Sequence, residues 1–516
     1  MKRSTPEANP TASCRSYLPS MPESCSAAQT RGQTADWKIG TEISHTRDAV
    51  MSDAGLTSDA EPWQRPGKRL SIALISDFSY PRMGGVEMHQ YYLAQGLIRR
   101  KHKVILISGT YDNERQGVRY LSQGLKVYYC PLRVIVQQAT PPTLFAFLPL
   151  LRNILIREKI DIVHGHQSTS FMSAEGILFA KTMGYKAVYT DHSLFGFADI
   201  GAVHINKMIK FWLSEIDHVI CVSHTSRENL VLRAYLDPRE ISVIPNAVDA
   251  TKFTPDPKGA PPTKDRVIIV ILSRLVYRKG IDLVIDVIPA ICARFPSVNF
   301  VIGGDGPKRI NLEEMREKYQ LHDRIEMLGA IQHCNVRDVL VKGHIFLNCS
   351  LTEAFCIAIL EAVSCGLYTV STRVGGISEV LPESMITLTE PNARDIIEAL
   401  SLAISRVRRV RPQALHEQVK RMYNWNSVAE RTERVYYQVM KNRPEPLSVR
   451  LRRYYDCGPV SGFVFCAVIA LCYLWVALIE WIFPKDDIDD AIDVPDDMFA
   501  DLDDNDFTEG RSNVSD

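Results

Sequence analysis

Short, almost purely apolar runs alternate with helical patterns twice over in this chain, and nothing else narrows its fold as much. LSIALIS (from Leu70), KVILIS (Lys103–Ser108), Asp161–His164, KAVYT (Lys186–Thr190), HVICV (His218–Val222) and Ile241–Ile244 each have the length of a buried strand. Helical periodicity stands between them at Met88–Ile98 and Phe171–Met183, and Ser223 or Thr225 opens a further helix. Strands joined by helices within one sheet run parallel and are covered on both faces. After a Pro- and Gly-rich break, PDPKGAPPTKD (Pro255–Asp265), the alternation restarts with VIIVILS (Val267–Ser273). It continues through Val298–Ile302, Ile325–Leu328, Ile345–Asn348 and Tyr368–Ser371. The expected class is therefore α/β, with two doubly wound domains, residues 69–255 and 266–442, joined by a linker at 256–265 and facing each other across a cleft. Helices are expected to fill the second domain to about Met440.

The flanks differ in kind. Residues 1–68 are rich in Ser, Thr, Pro, Ala and charge, with too few large aliphatics to build a core, so a disordered segment is expected. No apolar run suggests an ordinary secretory signal there. From Val460 to Ile479 no residue is charged, and Trp475 and Trp481 lie near the far end. About twenty apolar residues suffice to cross a bilayer. A buried core helix is the competing reading, but the position after a complete globular pattern favours a span over 460–483. A basic juxtamembrane segment (443–459, with Arg443, Arg450, Arg452 and Arg453) precedes it, and an acidic tail (484–516) follows. The basic flank belongs in the cytoplasm, which makes the chain single-pass, with its large N-terminal part cytoplasmic and the tail lumenal.

Over the 516 residues, 60 basic and 60 acidic side chains cancel, so no global field points to nucleic acid. The twelve cysteines include no CxxC pair, which favours reduced thiols over a disulfide framework or zinc site.

Chemistry concentrates in loops at the carboxyl ends of strands, where open parallel sheets bind ligands. In the second series these are SRLVYRKG (Ser273–Gly280), GGDGP (Gly303–Pro307), NCSLTEAF (Asn348–Phe355) and TRVGG (Thr372–Gly376). Thr352 or Ser350 could cap the helix after NCSLTEAF, leaving Glu353 at the mouth of the loop and Glu361 about two turns on. Carboxylates beside a helix N-terminus repel phosphate but suit hydroxyls, so a ligand with a sugar at one end and a ribose at the other fits the pair. Arg274 and Lys279 would stabilise a departing diphosphate before its charge forms, and a nearby carboxylate would stabilise a cationic sugar ring. The bland alternative is a capped amphipathic helix with two surface glutamates and a solvated basic loop. In the first series, Gly84-Gly85 at a helix start lets backbone approach an anion, or merely makes a tight turn.

Taken together, Glu353-x7-Glu361, Arg274 and Lys279 in SRLxxxKG, and GGDGP resemble the retaining glycosyltransferases of group 4, over roughly Leu70–Met440. The resemblance implies the GT-B fold of two Rossmann-like domains. It implies that Arg274 and Lys279 hold the donor diphosphate, that Glu361 grips the ribose, and that Glu353 contacts the transferred sugar. Gly84, Gly85, Gly304, Ala354, Phe355 and Cys356 join the donor-binding set. Glu87 and His166 fall on the acceptor side, and His192 matches the family's active-site histidine. Glu353, His192, Arg274 and Lys279 are the expected catalytic group. His164 and His166 have a plain strand-end role as their alternative. No cofactor and no metal are implied, because His-x-His lacks an evident third ligand and this family is typically metal-independent. The wider family carries Glu-Gly-Phe-Gly where this chain has Glu353-Ala354-Phe355-Cys356, and Pro-Asn-Gly where it has Pro245-Asn246-Ala247.

A narrower resemblance rests on PRMGGVEMHQYYLAQGL, HGHQSTSFMSAEG, TDHSLFGF, IPNAVD, LTEAFCIAILEAVSCGLYTVSTRVGGISEVLP and the single apolar span. It is similar to the branch of the family that opens glycosylphosphatidylinositol-anchor synthesis. That implies UDP-N-acetylglucosamine as donor, phosphatidylinositol as acceptor, and partner subunits in a complex on the cytoplasmic face of the endoplasmic reticulum membrane. A related transferase, such as a mannosyltransferase acting on another lipid, and a catalytically silent scaffold are the alternatives.

Overall fold

Fourteen strands in two sheets carry the described part of the chain. The computed structural model describes residues 65–493, apart from Pro81, Met83, 111–114, 135–138, Leu144, 197–199 and 259–265. Most of the segment 1–68, most of the linker and the tail beyond 493 thus lie outside the described residues. Residues 65–68, expected in the disordered segment, run along the domain: Arg65 pairs with Glu433 at 2.7 Å, and Tyr437 donates to the Lys68 carbonyl at 2.6 Å.

The first sheet contains β1 (Ser71–Ile75), β2 (Lys103–Gly109), β3 (Gly117–Leu121), β4 (Leu125–Cys130), β5 (Ile162–His166), β6 (Lys186–Asp191), β7 (His218–Cys221) and β8 (Ile241–Val243). Their spatial order is β3-β4-β2-β1-β5-β6-β7-β8, parallel except for β3 against β4. Neither strand of the β3–β4 hairpin was among those expected: four of the five residues of GVRYL face solvent and give no apolar run, while LKVYYC is buried throughout but interrupted by Lys126. The second sheet contains β9 (Val267–Leu272), β10 (Val298–Gly303), β11 (Ile325–Gly329), β12 (Ile345–Asn348), β13 (Tyr368–Thr372) and β14 (Ile386–Thr389). It runs β11-β10-β9-β12-β13-β14, all parallel. The strand β14 replaces part of the all-helical stretch expected after Ser371. Central strands are apolar on both faces because helices cover both: Ile269, Val270, Ile345 and Val370 are fully buried.

The two sheets meet through their loops. Glu379, in the second part, accepts from the Thr225 amide at 2.8 Å and from its hydroxyl at 2.6 Å, and so satisfies the start of the helix His224–Ala234. Ser223 caps that helix, as the sequence suggested. A C-terminal helix, Trp425–Lys441, returns to the first sheet and lies against Gly85–Arg99, so closely that a Cβ at Gly96 would sit 2.7 Å from that of Ala429.

The apolar segment forms one helix, Ser461–Ile482, with a mean hydropathy of 2.6 over its most apolar stretch. Among the described residues it is the one helix long and apolar enough to cross a membrane. One side joins the first domain's core through Ile469, Cys472 and Ile479, and Phe465 stacks on Phe211 at 4.2 Å. The opposite side exposes Phe463, Leu471, Leu474 and Trp481. Beyond it, Asp490 and Asp493 pair with Lys159 and Lys103 of the first domain, each at 2.6 Å. The sequence alone suggested that the acidic tail stands clear of the catalytic part. In the docked helix its first residues do not.

Candidate active site

Backbone zips the loops after β9 and β12 together. The Leu351 amide donates to the Arg278 carbonyl at 2.9 Å. Gly280 adopts φ 67°, and a Cβ there would fall 1.8 Å from the Cys349 carbonyl oxygen, so only glycine lets the loops touch. This places Lys279 Nζ on Glu353 Oε1 in an ion pair, both side chains largely buried. The Ser350 hydroxyl lies 2.9 Å from both Glu353 Oε1 and Asn348 Oδ1. Burial acts to lower the Lys279 pKa, but Glu353 outweighs it and holds the ammonium above its ordinary value. Lys279 is thus a fixed cation. Arg274 is exposed and lies within electrostatic reach of both Lys279 and Glu87.

The glutamate helix starts later than expected. It spans Ile357–Ser364 with no side-chain cap, and its N-cap, Cys356, sits at φ 74°. Neither Thr352 nor Ser350 caps it, because the Ser350 hydroxyl is taken by Asn348 and Glu353. Glu361 is one turn in rather than two, and His333 Nε2 approaches its Oε1 at 3.1 Å. Burial pushes the Cys356 thiol up to about 12, so it is no nucleophile at neutral pH. Phe355 is 3% exposed and packs edge-on against Tyr423, and Ala354 is also buried. Their side chains hold the loop and only their backbone is left for a ligand. Gly304, at φ 130°, lies against the Ser273 carbonyl, where a Cβ would come within 1.9 Å. Its visible role is to pack GGDGP onto the Arg274 loop.

The first domain supplies the opposite wall. Gly84 and Gly85 open the helix Gly85–Arg99; Glu87 folds over Gly84, and Gly85 faces Ile357 at the start of the glutamate helix. Glu87 is buried, which raises its pKa, with Arg82 3.8 Å away. His192 follows β6, and two residues on, the Leu194 carbonyl accepts from Arg278 at 3.3 Å. His166, at the end of β5, turns Nδ1 toward His192 Nε2 at 3.3 Å. His89, one turn into the glycine-opened helix, brings its ring within 4.6 Å of His192 and holds Asn246 Oδ1 at 2.7 Å. His164 is a structural residue, held on both nitrogens at 2.7 Å by Tyr436 and Thr190. Burial lowers the pKa of His89 to about 4 and those of His164, His166 and His192 well below the usual value, so all four are neutral at cytosolic pH.

Sequence reasoning missed His89, Asn246 and His333. The signal for His89 was its position four residues after Gly85, on the same helix face as the loop. His333 lies in the loop that follows β11, where the strand-end rule points.

Two Rossmann-like domains with a cation–carboxylate wall facing an imidazole wall define a GT-B glycosyltransferase. The family described as glycosyl transferases group 1 matches residues 253–421, and the family described as PIGA (GPI anchor biosynthesis) matches 110–199. A solved sucrose-phosphate synthase from Thermosynechococcus elongatus superposes with TM-score 0.62 at 22% identity, covering 72% of this chain and 99% of its own, which supports the fold. A phosphatidylinositol N-acetylglucosaminyltransferase subunit from Arabidopsis thaliana is 53% identical over 83% of this chain and 95% of its own length. Its Homo sapiens counterpart is 54% identical over 82% and 87%, and the gpi3 subunit of the Schizosaccharomyces pombe enzyme 53% identical over 81% and 92%. The chain belongs to the family of these phosphatidylinositol N-acetylglucosaminyltransferase subunits.

Proposed function

We propose that this chain is the catalytic subunit that transfers N-acetylglucosamine from UDP-N-acetylglucosamine to phosphatidylinositol, the first step of glycosylphosphatidylinositol-anchor synthesis, within a multi-subunit complex. The observation that carries the reading is the Lys279–Glu353 pair, which sets a fixed cation beside the carboxylate assigned to the sugar. In the reaction, Lys279 and Arg274 neutralise the departing diphosphate and Glu353 faces the ring as it gains positive character. Glu361, steadied by His333, accepts from the ribose hydroxyls. An inositol hydroxyl oxygen forms the new bond to the anomeric carbon on the face from which the diphosphate leaves. The hydroxyl proton passes to a phosphate oxygen of the leaving UDP. No protein nucleophile is needed, and the anomeric configuration is retained. The neutral wall of His192 and His166, with Glu87, receives the acceptor headgroup.

The helix Ser461–Ile482 anchors the enzyme in the endoplasmic reticulum membrane with the catalytic domains cytoplasmic and the tail lumenal. Crossing breaks the exposed Lys159–Asp490 pair, worth about 0–1 kcal/mol, together with the Lys103–Asp493 and Arg152–Glu480 pairs, whose basic partners are largely buried, and it uncovers Ile469, Cys472 and Ile479. Covering one large apolar side chain gains about 1.5–3 kcal/mol, and this helix exposes several.

Microsomes carrying the chain should convert radiolabelled UDP-N-acetylglucosamine and phosphatidylinositol to a labelled glycolipid, and failure with partner subunits present would refute the activity. For topology, the tail is lengthened to present the Asn513-Val514-Ser515 sequon, which lies outside the described residues. A glycosidase-sensitive mass shift is expected that vanishes with Asn513→Gln and persists with Asn348→Gln; Asn348 is buried at a core strand end. The reverse dependence would put the cleft in the lumen and end the proposal.

A further inference from the structure

His89, His166 and His192 come from three separate elements, yet one ring nitrogen of each lies within 4.8 Å of the other two. We propose that this cluster is a binding site for a divalent transition-metal ion of the zinc type, and that the bound ion inhibits the enzyme by withdrawing His192 from the acceptor side. The inhibitory clause rests on the proposed function; the binding clause does not.

Four observations carry the site. The Asn246 carbonyl oxygen can only accept, so His89 Nδ1 bears its proton and Nε2 keeps a free lone pair. A backing carbonyl of this kind is how proteins fix the tautomer of a metal-bound histidine. His166 Nδ1 and His192 Nε2 are 3.3 Å apart, long for a hydrogen bond. Two imidazoles on one tetrahedral zinc, at about 2.0–2.1 Å per bond, stand about 3.3 Å apart. His166 Nε2 is buried and has no hydrogen-bond partner among the described residues, so nothing there opposes the tautomer that carries its proton on Nε2 and turns the Nδ1 lone pair to the ion. His89 and His166 are buried, whereas His192 is half-buried, so an ion held by the three keeps an open position on the cleft side. Closing the widest separation to ligand distance takes about 1.5 Å of side-chain movement.

The donor set also names the class of ion. Three neutral imidazoles with no carboxylate favour zinc, cobalt, nickel or copper over magnesium or calcium, which want oxygen. Asp191, the acid next in sequence to His192, is committed to Ser168 at 2.6 Å and lies 3.7 Å from Arg233. His164 is excluded because both its nitrogens are taken. Burial holds the three rings neutral, which is the form a metal binds. Transfer itself does not call on this ion, since Lys279 and Arg274 supply the positive potential at the diphosphate.

The test uses the purified complex after chelator treatment, with cobalt(II) as the probe. One equivalent per catalytic chain should produce the visible absorption of tetrahedral cobalt, and zinc should displace it. His89→Ala and His192→Ala should each weaken binding at least tenfold, and Asn246→Leu about tenfold, as backing partners do. His322→Ala, a surface histidine beside Glu317, should bind like the wild type. Zinc should also raise the melting temperature of the wild type but not of His192→Ala, which guards against a variant that fails to fold. No stoichiometric band, or equal binding by the wild type and His89→Ala, would overturn the site and leave a hydrogen-bonded histidine stack. Zinc should inhibit transfer over the range in which it binds, and ten times more zinc should be needed with Asn246→Leu. Tight binding without inhibition would overturn the regulatory clause. An absence of transfer activity in the metal-free complex, when that same complex goes on to bind cobalt as expected, would instead count against the proposed function.

Discussion

The two walls of the cleft are built from opposite materials. The second domain presents ionised side chains in contact, Lys279 on Glu353, with Arg274 near, on loops clamped by glycines that leave no room for a Cβ. The first presents neutral imidazoles, an amide and a buried glutamate whose pKa burial raises. Charge belongs where charge develops: a departing diphosphate needs cations already in place, whereas the hydroxyls of an acceptor need hydrogen-bonding partners that do not carry charge.

Breaking the charged wall should have the largest effect. Lys279→Ala is expected to lower turnover about 10²–10³-fold, with a smaller change in donor KM, because the charge matters most in the transition state. His192→Gln keeps a neutral hydrogen-bonding group and should lose about tenfold less. Radiolabelled transfer assays on both variants decide it, and equal losses would erase the distinction between the walls.

Acid tests the neutral wall through stability. The His89 pKa falls from an unfolded value near 6.5 to about 4, so below pH 6.5 the unfolded chain binds the proton first. Stability is therefore full above pH 6.5 and is lost as pH falls toward 4, by about 2 kcal/mol at pH 5 from His89 alone. His164, His166 and His192 shift the same way and steepen the loss. Chemical denaturation at pH 7 and pH 5 measures it, and equal midpoints would mean the histidines are already charged in the fold.

The smallest expected effect concerns the contact between Glu361 and His333. His333→Ala frees Glu361 from its 3.1 Å partner and should raise donor KM about tenfold with turnover little changed, since uniform binding is lost. A fall in turnover at constant KM would place His333 in the chemistry instead.

The same contrast explains what the sequence revealed. The second wall was legible because Glu353 and Glu361 lie eight residues apart on one loop and helix, and Arg274 and Lys279 five apart on another. Local spacing carried them. The first wall draws His89, His166, His192 and Asn246 from four elements that only the β1-β5-β6-β7-β8 order brings together, and no window of sequence contains two of those histidines and Asn246. His164 and His166 looked alike as His-x-His and do share one face of β5, their rings 4.2 Å apart, yet His164 meets hydroxyls on both nitrogens while His166, at the strand's end, keeps an unpaired nitrogen. The two Rossmann-like sheets were read from apolar runs; β3 was not, because an exposed edge strand has no such run, and the late helix start was hidden because a cysteine at positive φ has no sequence signature.

The returning helix Trp425–Lys441 imposes a schedule on biosynthesis. Glu433, fully buried, binds Arg100 at 2.5 Å and His102 at 2.7 Å, yet it follows Arg100 by 333 residues. At about 5–20 residues per second, the ribosome needs roughly 17–70 s to deliver it after Arg100. For that interval the nascent first domain holds an uncovered helix face, with Arg65, Arg100 and His102 awaiting their carboxylate partner. Its last packing step therefore comes only after the whole second domain has been made, so the two halves mature together rather than one after the other.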